Sequence, residues 1–176
     1  MKSVCVYCAS SDGIDPKFGK AADELGLELV RRGIRLVYGG ASVGLMGRIA
    51  TTVQRAGGKV TGVIPRILVE REIAKTDLDD LRVVETMHER KGLMAELSDG
   101  FIAMPGGLGT LEEIFEVLTW GQLGMHKKPC GFLNIAGYYS HLLQFLDNAT
   151  ATGLLQKKNR ARVLVHETPT GLLDLM

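Results

Sequence analysis

The segment MPGGLGTLEE, at residues 104–113, joins two contrasting patterns. The apolar run at residues 101–104 is typical of a buried strand. After the glycines, apolar residues recur at the spacing of a helix face, at Leu111, Ile114, Phe115 and Leu118. Glycine permits a sharp turn and lets a ligand approach the main chain closely. A strand, a glycine turn and a helix N-terminus together predict an anion site, most often for phosphate, whereas a simple capped turn would need fewer glycines.

Strand and helix patterns alternate along the whole chain. Apolar runs predict strands at residues 2–9, 34–38, 60–64, 81–84, 101–104, 130–133 and 162–166. Helical patterns occupy residues 16–32, the stretch up to about residue 56, residues 87–98, 111–124 and 138–152, and a short segment after Pro169. Such alternation forms βαβ units, so we predict an α/β fold with a Rossmann-like, doubly wound parallel sheet. Since no linker or repeat interrupts the pattern, a single domain over residues 1–176 is expected.

Three of the predicted loops follow strands and suit a phosphorylated ligand, at residues 9–12, 39–47 and 105–110. In parallel sheets, ligands bind beyond the carboxyl ends of the strands, near a switch in strand order. None of the loops matches GxGxxG or GxxxxGK[ST], so an intact dinucleotide or a nucleoside triphosphate with magnesium is not favoured. The loops supply four candidate substrate contacts: Ser10, Gly40, Met46 and Gly106.

Composition narrows the class of protein. A chain of 176 residues with 45% hydrophobic residues and a net charge of +1 is typical of a soluble globular protein and argues weakly against nucleic-acid binding. We expect no signal peptide, no membrane span and a cytoplasmic location. Cys5 and Cys8 form a CxxC, but residues three apart on a strand face opposite ways, roughly 10 Å apart. We therefore predict buried, reduced cysteines and no metal site.

The helix predicted at residues 87–98 carries a cation on its apolar stripe. Arg90 lies between Met87 and Met94 on that stripe, and Lys91 lies at its margin. A buried unpaired cation is costly, so Arg90 should meet an anion. The partner is either a structural carboxylate or a functional group, namely a ligand phosphate or an active-site carboxylate. The functional interpretation is favoured because this helix directly precedes the central motif.

These motifs carry a resemblance to a known family. PGGLGTLEE at residues 105–113 resembles the PGGxGTxxE motif of the Lonely-guy family, the cytokinin riboside 5′-monophosphate phosphoribohydrolases long misnamed lysine decarboxylases. YGGASVGLMG at residues 38–47 and MHERK at residues 87–91 are similar to two further signatures, in the same order. The similarity runs from CVYCASS at residues 5–11 to LTWGQLGMHKKP at residues 118–129.

The resemblance implies a Rossmann-like fold, a homodimer and a hydrolase of the N-glycosidase type. The implied substrate is AMP or an N6-prenylated AMP, cleaved to free base and ribose 5-phosphate without metal or cofactor. Carried over by position, Arg90 and Glu113 are the catalytic pair. The matching substrate contacts are Glu72, Lys91, Gly107, Leu108, Gly109, Thr110, Leu111, Glu112 and Thr119. The chain departs from the family pattern at Ala41, where a third loop glycine is common, and at Leu108, where an aromatic residue is common.

Two points about the acids stay open at the level of sequence. Thr119 follows Glu112 by seven residues and Glu113 by six, so helix geometry places it beside Glu112, whereas the resemblance favours Glu113 as the acid that faces the sugar. Thr110 and Glu113 also have the spacing of a capping box, in which Glu113 would return to the N-cap N–H. On that interpretation Glu113 is structural.

Two other functions compete with hydrolysis. A non-catalytic nucleotide-binding or carrier module would keep the glycine loops but need neither Arg90 nor Glu113. An amino-acid decarboxylase would use Lys91 as a Schiff-base lysine. The presence of both Arg90 and Glu113 favours the hydrolase.

We predict a two-fold symmetric homodimer. The helices at residues 111–123 and 138–152 carry more large apolar groups than one sheet face needs, including Trp120, Tyr138, Tyr139 and Phe145. Light scattering at micromolar concentration should give the mass of a dimer. A monomer under these conditions would contradict the prediction.

Overall fold

The computed structural model describes residues 1–70 and 73–176. Within these residues, seven strands form one parallel sheet in the order β4-β3-β2-β1-β5-β6-β7. The strands are β1 Ser3–Tyr7, β2 Arg35–Tyr38, β3 Val60–Pro65, β4 Asp80–Val84, β5 Phe101–Ala103, β6 Cys130–Leu133 and β7 Val163–His166. The predicted α/β fold class, a Rossmann-like doubly wound sheet, is confirmed, and each predicted strand has its counterpart.

Helices cover both faces of the sheet. The helices of the described residues are α1 Pro16–Arg31, α2 Gly44–Arg55, α3 Arg66–Val69, α4 Met87–Glu96, α5 Leu108–Gln122, α6 Ser140–Ala151, α7 Lys157–Arg160 and α8 Pro169–Leu175. Local chemistry sets several starts: Asp15 accepts from the N–H of Lys17 at 2.9 Å, and Thr86 accepts from that of Glu89 at 3.1 Å. No helix in the described part of the chain is both long and apolar enough to cross a membrane.

The sheet reverses its direction of growth at β1. The chain adds β2, β3 and β4 on one side of β1, then returns to add β5, β6 and β7 on the other. β1 and β5 are therefore direct neighbours, with Cys5 opposite Phe101 and Tyr7 opposite Ala103. The loops that follow these two strands open at the same crevice, the position where doubly wound folds bind ligands.

Alternation along β1 divides the core into two layers. Val4 and Val6 face α1 and α2, where they join Leu25, Leu29 and Ile49. Cys5 and Tyr7 face the layer beneath α4, α5 and α6, which includes Met94, Ile114 and Phe132. Cys5 and Cys8 belong to opposite layers, and both are buried and free. The prediction for the CxxC is thus confirmed, because the two-residue period of a strand separates the thiols.

The start of α5 differs from its prediction. The helix begins at Leu108, three residues before the predicted Leu111, and Gly107 is its N-cap with no side-chain hydrogen bond. Thr110 consequently lies inside the first turn and Glu113 in the second. The predicted capping box is wrong, since a side chain in the second turn lies beyond reach of the N-cap N–H. Glu113 is free of the structural role that this box would have given it.

The start of α6 also differs. A 3-10 turn occupies Ile135–Gly137, so the helix begins at Ser140 instead of residue 138. Tyr139 is almost fully buried, at 2% exposure, and cannot belong to the proposed dimer surface. Phe145, at 62% exposure, can.

Candidate active site

A cavity of about 330 Å³ opens at the switch point between β1 and β5. It is bounded by the loop after β1, the starts of α2 and α4, and the first turns of α5. Its lining residues are Cys8, Ala9, Ser10, Ser11, Met46, Met87, Arg90, Gly107, Leu108, Gly109, Thr110, Glu112 and Glu113. The structure thus brings together most of the predicted site, including the proposed catalytic pair.

The N-terminus of α5 forms one wall of this cavity. Its first internal hydrogen bond runs from the N–H of Leu111 to the carbonyl of Gly107, at 3.1 Å. Among the described residues, no group accepts a hydrogen bond from the N–H of Leu108, Gly109 or Thr110. Three free donors at the positive end of a helix are suited to an anion.

Helix α2 starts in a glycine-rich loop too, but two of its first N–H groups are bonded to the loop after β1. Leu45 donates to the carbonyl of Ser11 and Met46 to that of Ala9, both at 3.3 Å. This helix start therefore braces the loop after β1. The start of α5 thus offers more free donors to the cavity than the start of α2, and the phosphate role of the three loops stays a prediction.

Arg90 and Glu113 lie on the cavity floor, and each is 6% exposed. Nη1 of Arg90 is 3.3 Å from Oε1 of Glu113. The guanidinium also donates from Nε to the carbonyl of Val63 at 3.2 Å and from Nη2 to that of Gly39 at 3.4 Å. The predicted anion partner of Arg90 is thus a carboxylate inside the cavity.

The approach of Arg90 depends on a glycine. A Cβ at position 39 would lie 1.9 Å from Nη2 of Arg90. Any residue other than glycine would therefore displace the guanidinium from the carboxyl ends of β2 and β3. The glycine loop at residues 39–47 contributes to the site by leaving this space.

Burial sets the charge state of Glu113. It raises the pKa of this carboxyl from 4.5 to about 7, and the nearby Arg90 guanidinium opposes the rise. A carboxyl that titrates near neutrality in a cleft, beside a fixed cation, is typical of functional sites. The structure therefore answers the question of which acid occupies the floor of the cavity: Glu113, while the side chain of Glu112 is half exposed at its mouth.

Lys91 lies beside the cavity and does not line it. Its buried ammonium group pairs with Glu112 and with Glu116, the latter at 3.1 Å, and so joins α4 to α5. Hydrogen bonding to Glu112 is the main cause of its raised pKa. A Schiff-base lysine needs a lowered pKa, so this environment argues against the decarboxylase interpretation.

Other predicted contacts lie elsewhere. The carbonyl of Gly40 accepts from the N–H of Lys75 at 2.8 Å, and Gly40 packs against Ile64, away from the cavity. Leu111 packs into the core layer beneath α5. Thr119 is exposed, and its hydroxyl donates to the carbonyl of Phe115 at 2.7 Å, two turns along the helix from the acids. One chain thus does not bring Gly40, Leu111 or Thr119 to the cavity, because strand pairing and helix rotation direct them away.

Gly106 and Glu72 complete the set of predicted contacts. Gly106 lines a neighbouring cavity of about 250 Å³ together with Phe18 and Tyr138. A Cβ on Gly106 would lie 2.1 Å from the hydroxyl of Thr110, so only glycine fits between the strand and the helix. Glu72 lies outside the described residues.

Sequence reasoning did not select several residues that line or brace the cavity. Ser11 and Met87 line it, although each lies in a segment that the motifs had marked. Tyr138 and Tyr139 brace the glycine turn from outside, and nothing in the sequence links them to residues more than 30 positions away. Among the described residues, no group of three or more His, Cys, Asp or Glu side chains is arranged to hold a metal ion.

The fold and the crevice define this chain as a Rossmann-like α/β protein with a site suited to an anionic ligand. The family model described as "Possible lysine decarboxylase" matches residues 46–176. The chain is 51% identical over 164 residues to a cytokinin riboside 5′-monophosphate phosphoribohydrolase of Arabidopsis thaliana, covering 93% of this chain and 75% of that protein. It is 49% identical over 169 residues to a protein of the same name from Oryza sativa subsp. japonica, covering 96% and 69%. The chain belongs to this family, the Lonely-guy family, and the resemblance noted in its sequence is confirmed.

Solved structures with a similar fold are more distant in sequence. The molybdenum cofactor binding protein of Rippkaea orientalis has a TM-score of 0.74 at 23% identity, covering 99% of this chain and 95% of that one. The molybdenum cofactor carrier protein of Chlamydomonas reinhardtii has a TM-score of 0.74 at 21% identity, covering 99% and 94%. At this level of identity the similarity concerns the fold alone.

Glu113 should make the folded protein less stable as the pH rises between about 4.5 and 7. Its folded pKa of about 7 exceeds its ordinary 4.5, so in this window the folded protein binds more protons than the unfolded chain. The protonated Glu113 contributes fully to the free energy of unfolding below its ordinary pKa. This contribution, roughly 3 kcal/mol, is lost as the pH rises through the pKa of the folded protein.

Urea denaturation at about pH 5 and about pH 8 measures this effect. The difference in unfolding free energy between the wild type and Glu113→Gln should change by about 2–3 kcal/mol between the two conditions, since other titrating groups are common to both proteins. If the unfolding free energies of the wild type and Glu113→Gln changed equally between the two pH values, Glu113 would have an ordinary pKa.

Proposed function

We propose that this protein is a phosphoribohydrolase that cleaves the N-glycosidic bond of N6-modified adenosine 5′-monophosphates or AMP. Water supplies the hydroxyl group on the sugar and the proton on the base, so the products are free cytokinin or adenine and ribose 5-phosphate. The observation that carries this proposal is the buried Arg90–Glu113 pair, which lies in one cavity with the free N–H groups of α5. The names of the relatives describe the same reaction.

The first turn of α5 binds the 5′-phosphate. The N–H groups of Leu108, Gly109 and Thr110 have no acceptor among the described residues, and the helix dipole favours a negative charge there. Ser10 and Ser11 line the same cavity and add hydroxyl donors. Holding the phosphate fixes the sugar relative to Glu113, which lowers the entropic part of the barrier.

Glu113 stabilises the positive charge that develops on the sugar. Breaking a ribosyl C–N bond passes through an oxocarbenium-like state, and a fixed carboxylate in a poorly solvated site stabilises such a charge strongly. The Arg90 guanidinium, 3.3 Å from Glu113, orients the carboxylate and favours its ionised form. The carbonyls of Val63 and Gly39 hold the guanidinium in place.

Apolar side chains at the mouth of the cavity contact the base. Met46, Met87 and Leu108 line it, and Leu108 is 87% exposed. Methionine adapts to irregular apolar ligands, which suits an adenine with or without an N6 substituent. Leucine in place of the aromatic residue common in the family leaves a smaller, more flexible wall for the base.

We also propose that the protein acts in the cytoplasm as a homodimer. Phe145 on α6 and Leu154 beyond its end are exposed. They lie near an apolar groove of about 180 Å³ lined by Phe115, Leu118 and Leu146 among others. Covering this surface in a symmetric dimer would remove apolar area from water.

AMP should be a far better substrate than adenosine. The free N–H groups of α5 stabilise the 5′-phosphate of AMP and have nothing to bind in adenosine, so kcat/KM for adenosine should be lower by about a hundredfold or more. Release of adenine from both compounds, followed by chromatography, gives the ratio. Comparable values would contradict the phosphate role of α5.

Glu113→Gln should fold, bind AMP and lose at least about a hundredfold in kcat. The amide preserves the shape of the side chain and removes the charge that stabilises the developing cation. Steady-state release of adenine measures the loss, and calorimetry with AMP measures binding.

Glu112→Gln is the matched control for this variant. The residue is the adjacent acid on the same helix, but its side chain is half exposed and paired with Lys91. Its kcat should fall much less. Near-normal turnover by Glu113→Gln together with a large loss in Glu112→Gln would exchange the roles of the two acids, and no adenine release by the wild type would favour a carrier function.

A further inference from the structure

Two consecutive tyrosines outside the cavity hold the main chain of the glycine turn. The hydroxyl of Tyr138 donates to the carbonyl of Gly106 at 2.8 Å, and that of Tyr139 donates to the carbonyl of Met104 at 2.6 Å. Both tyrosines come from the connection between β6 and α6, more than 30 residues further along the chain. The same short segment thus fixes two carbonyls of the loop that leads into α5.

The connection that carries these tyrosines is itself held in one conformation. Ala136 has a φ of 52°, a left-handed backbone that a residue with a Cβ adopts at a cost. The side chain of Asn134 accepts from the N–H of Tyr139 at 2.7 Å, and the N–H of Asn134 donates to the carbonyl of His166 at 2.8 Å. Backbone strain of this kind persists only where the surroundings over-determine it, and it clusters near functional sites.

The bond from Tyr138 determines where one N–H group points. In a trans peptide the C=O and the N–H point in opposite directions, so fixing the Gly106 carbonyl also fixes the N–H of Gly107. By this geometry the Gly107 N–H points away from the Tyr138 hydroxyl; Gly107 lies between two cavities, the one that Tyr138 lines and the one that contains Arg90 and Glu113. A hydrogen bond at the carbonyl also polarises the peptide, which strengthens its N–H as a donor.

The bond from Tyr139 has no such consequence. Its acceptor, the Met104 carbonyl, belongs to the peptide that joins Pro105, and proline has no N–H. The two hydroxyls therefore make similar bonds to the same loop, but only Tyr138 orients a donor. The chain supplies a matched pair for an experiment.

We propose that Tyr138 is a positioning residue of the phosphate site, which aims the Gly107 N–H at the 5′-phosphate through the Gly106–Gly107 peptide. This inference rests on the proposed function. Glycines lose much conformational freedom when they become ordered, and a loop that is ordered before binding spares the ligand that cost. The aromatic ring of Tyr138 packs edge-on against Phe18 at 5.4 Å between centroids, so Tyr138→Phe should keep the packing and remove only the hydroxyl.

The test compares Tyr138→Phe and Tyr139→Phe with the wild type. In Tyr138→Phe, the Kd for ribose 5-phosphate by calorimetry and the KM for AMP should rise about fivefold, the scale of one hydrogen bond. Its kcat should stay within about twofold, and its slow turnover of adenosine should be unchanged, because only uniform phosphate binding is lost. Tyr139→Phe should lower the melting temperature and leave the Kd for ribose 5-phosphate unchanged.

An unchanged Kd for ribose 5-phosphate in Tyr138→Phe would overturn the proposal. So would an equal increase of this Kd in Tyr139→Phe, or a loss of adenosine turnover in Tyr138→Phe as large as its loss on AMP. The two proposals fail separately. A wild-type protein that binds ribose 5-phosphate but releases no base from AMP would refute the hydrolase function, while calorimetry on the two variants would still decide the role of Tyr138. A wild-type protein that releases base from AMP but does not bind ribose 5-phosphate would refute the role of Tyr138 and leave the hydrolase function standing.

Discussion

The ion pair between Arg90 and Glu113 is the interaction on which the rest of the site depends. Transferring two charges from water into a protein interior is costly unless the geometry is good and further hydrogen bonds satisfy the groups. Here the carbonyls of Val63 and Gly39 complete the surroundings of the guanidinium. The pair therefore requires α4, α5 and the ends of β2 and β3 to converge at one point. Removing the partners of the guanidinium would leave its charge buried without compensation.

The two glycine-rich helix starts at the crevice differ in their hydrogen bonding. Leu45 and Met46, in the first turn of α2, donate from their N–H groups to the carbonyls of Ser11 and Ala9, so this helix start braces the loop after β1. The first N–H groups of α5 have no such partners among the described residues and line the cavity. Similar local sequences thus form helix starts with different hydrogen bonding, because the carbonyls of the loop after β1 reach the start of α2 and not that of α5.

The two adjacent acids of α5 lie in different surroundings. Glu112 lies at the mouth of the cavity, where Lys91 pairs with it. Glu113 is one residue further along the helix and faces the floor, where burial raises its pKa to about 7 against the pull of Arg90. Lys91 also offsets the negative charges of Glu112 and Glu116 close to the free N–H groups of α5. Glu112 and Glu116 stabilise the buried ammonium group of Lys91, and pairing with it reduces the repulsion that these two carboxylates would exert on an anionic ligand.

The sequence by itself determined the strands, the doubly wound parallel sheet and the three loops at its switch point, because apolar periodicity and glycine positions are local signals. It also determined that Arg90 must meet an anion. Only the tertiary structure decided which groups meet: that Glu113 and not Glu112 faces Arg90, that Thr119 points away, and that Tyr138 reaches Gly106. The capping box failed for the same reason. The helix starts at Leu108, after a loop that Ala9 and Tyr138 hold by hydrogen bonds, and spacing along the chain contains no information about partners that folding brings from elsewhere.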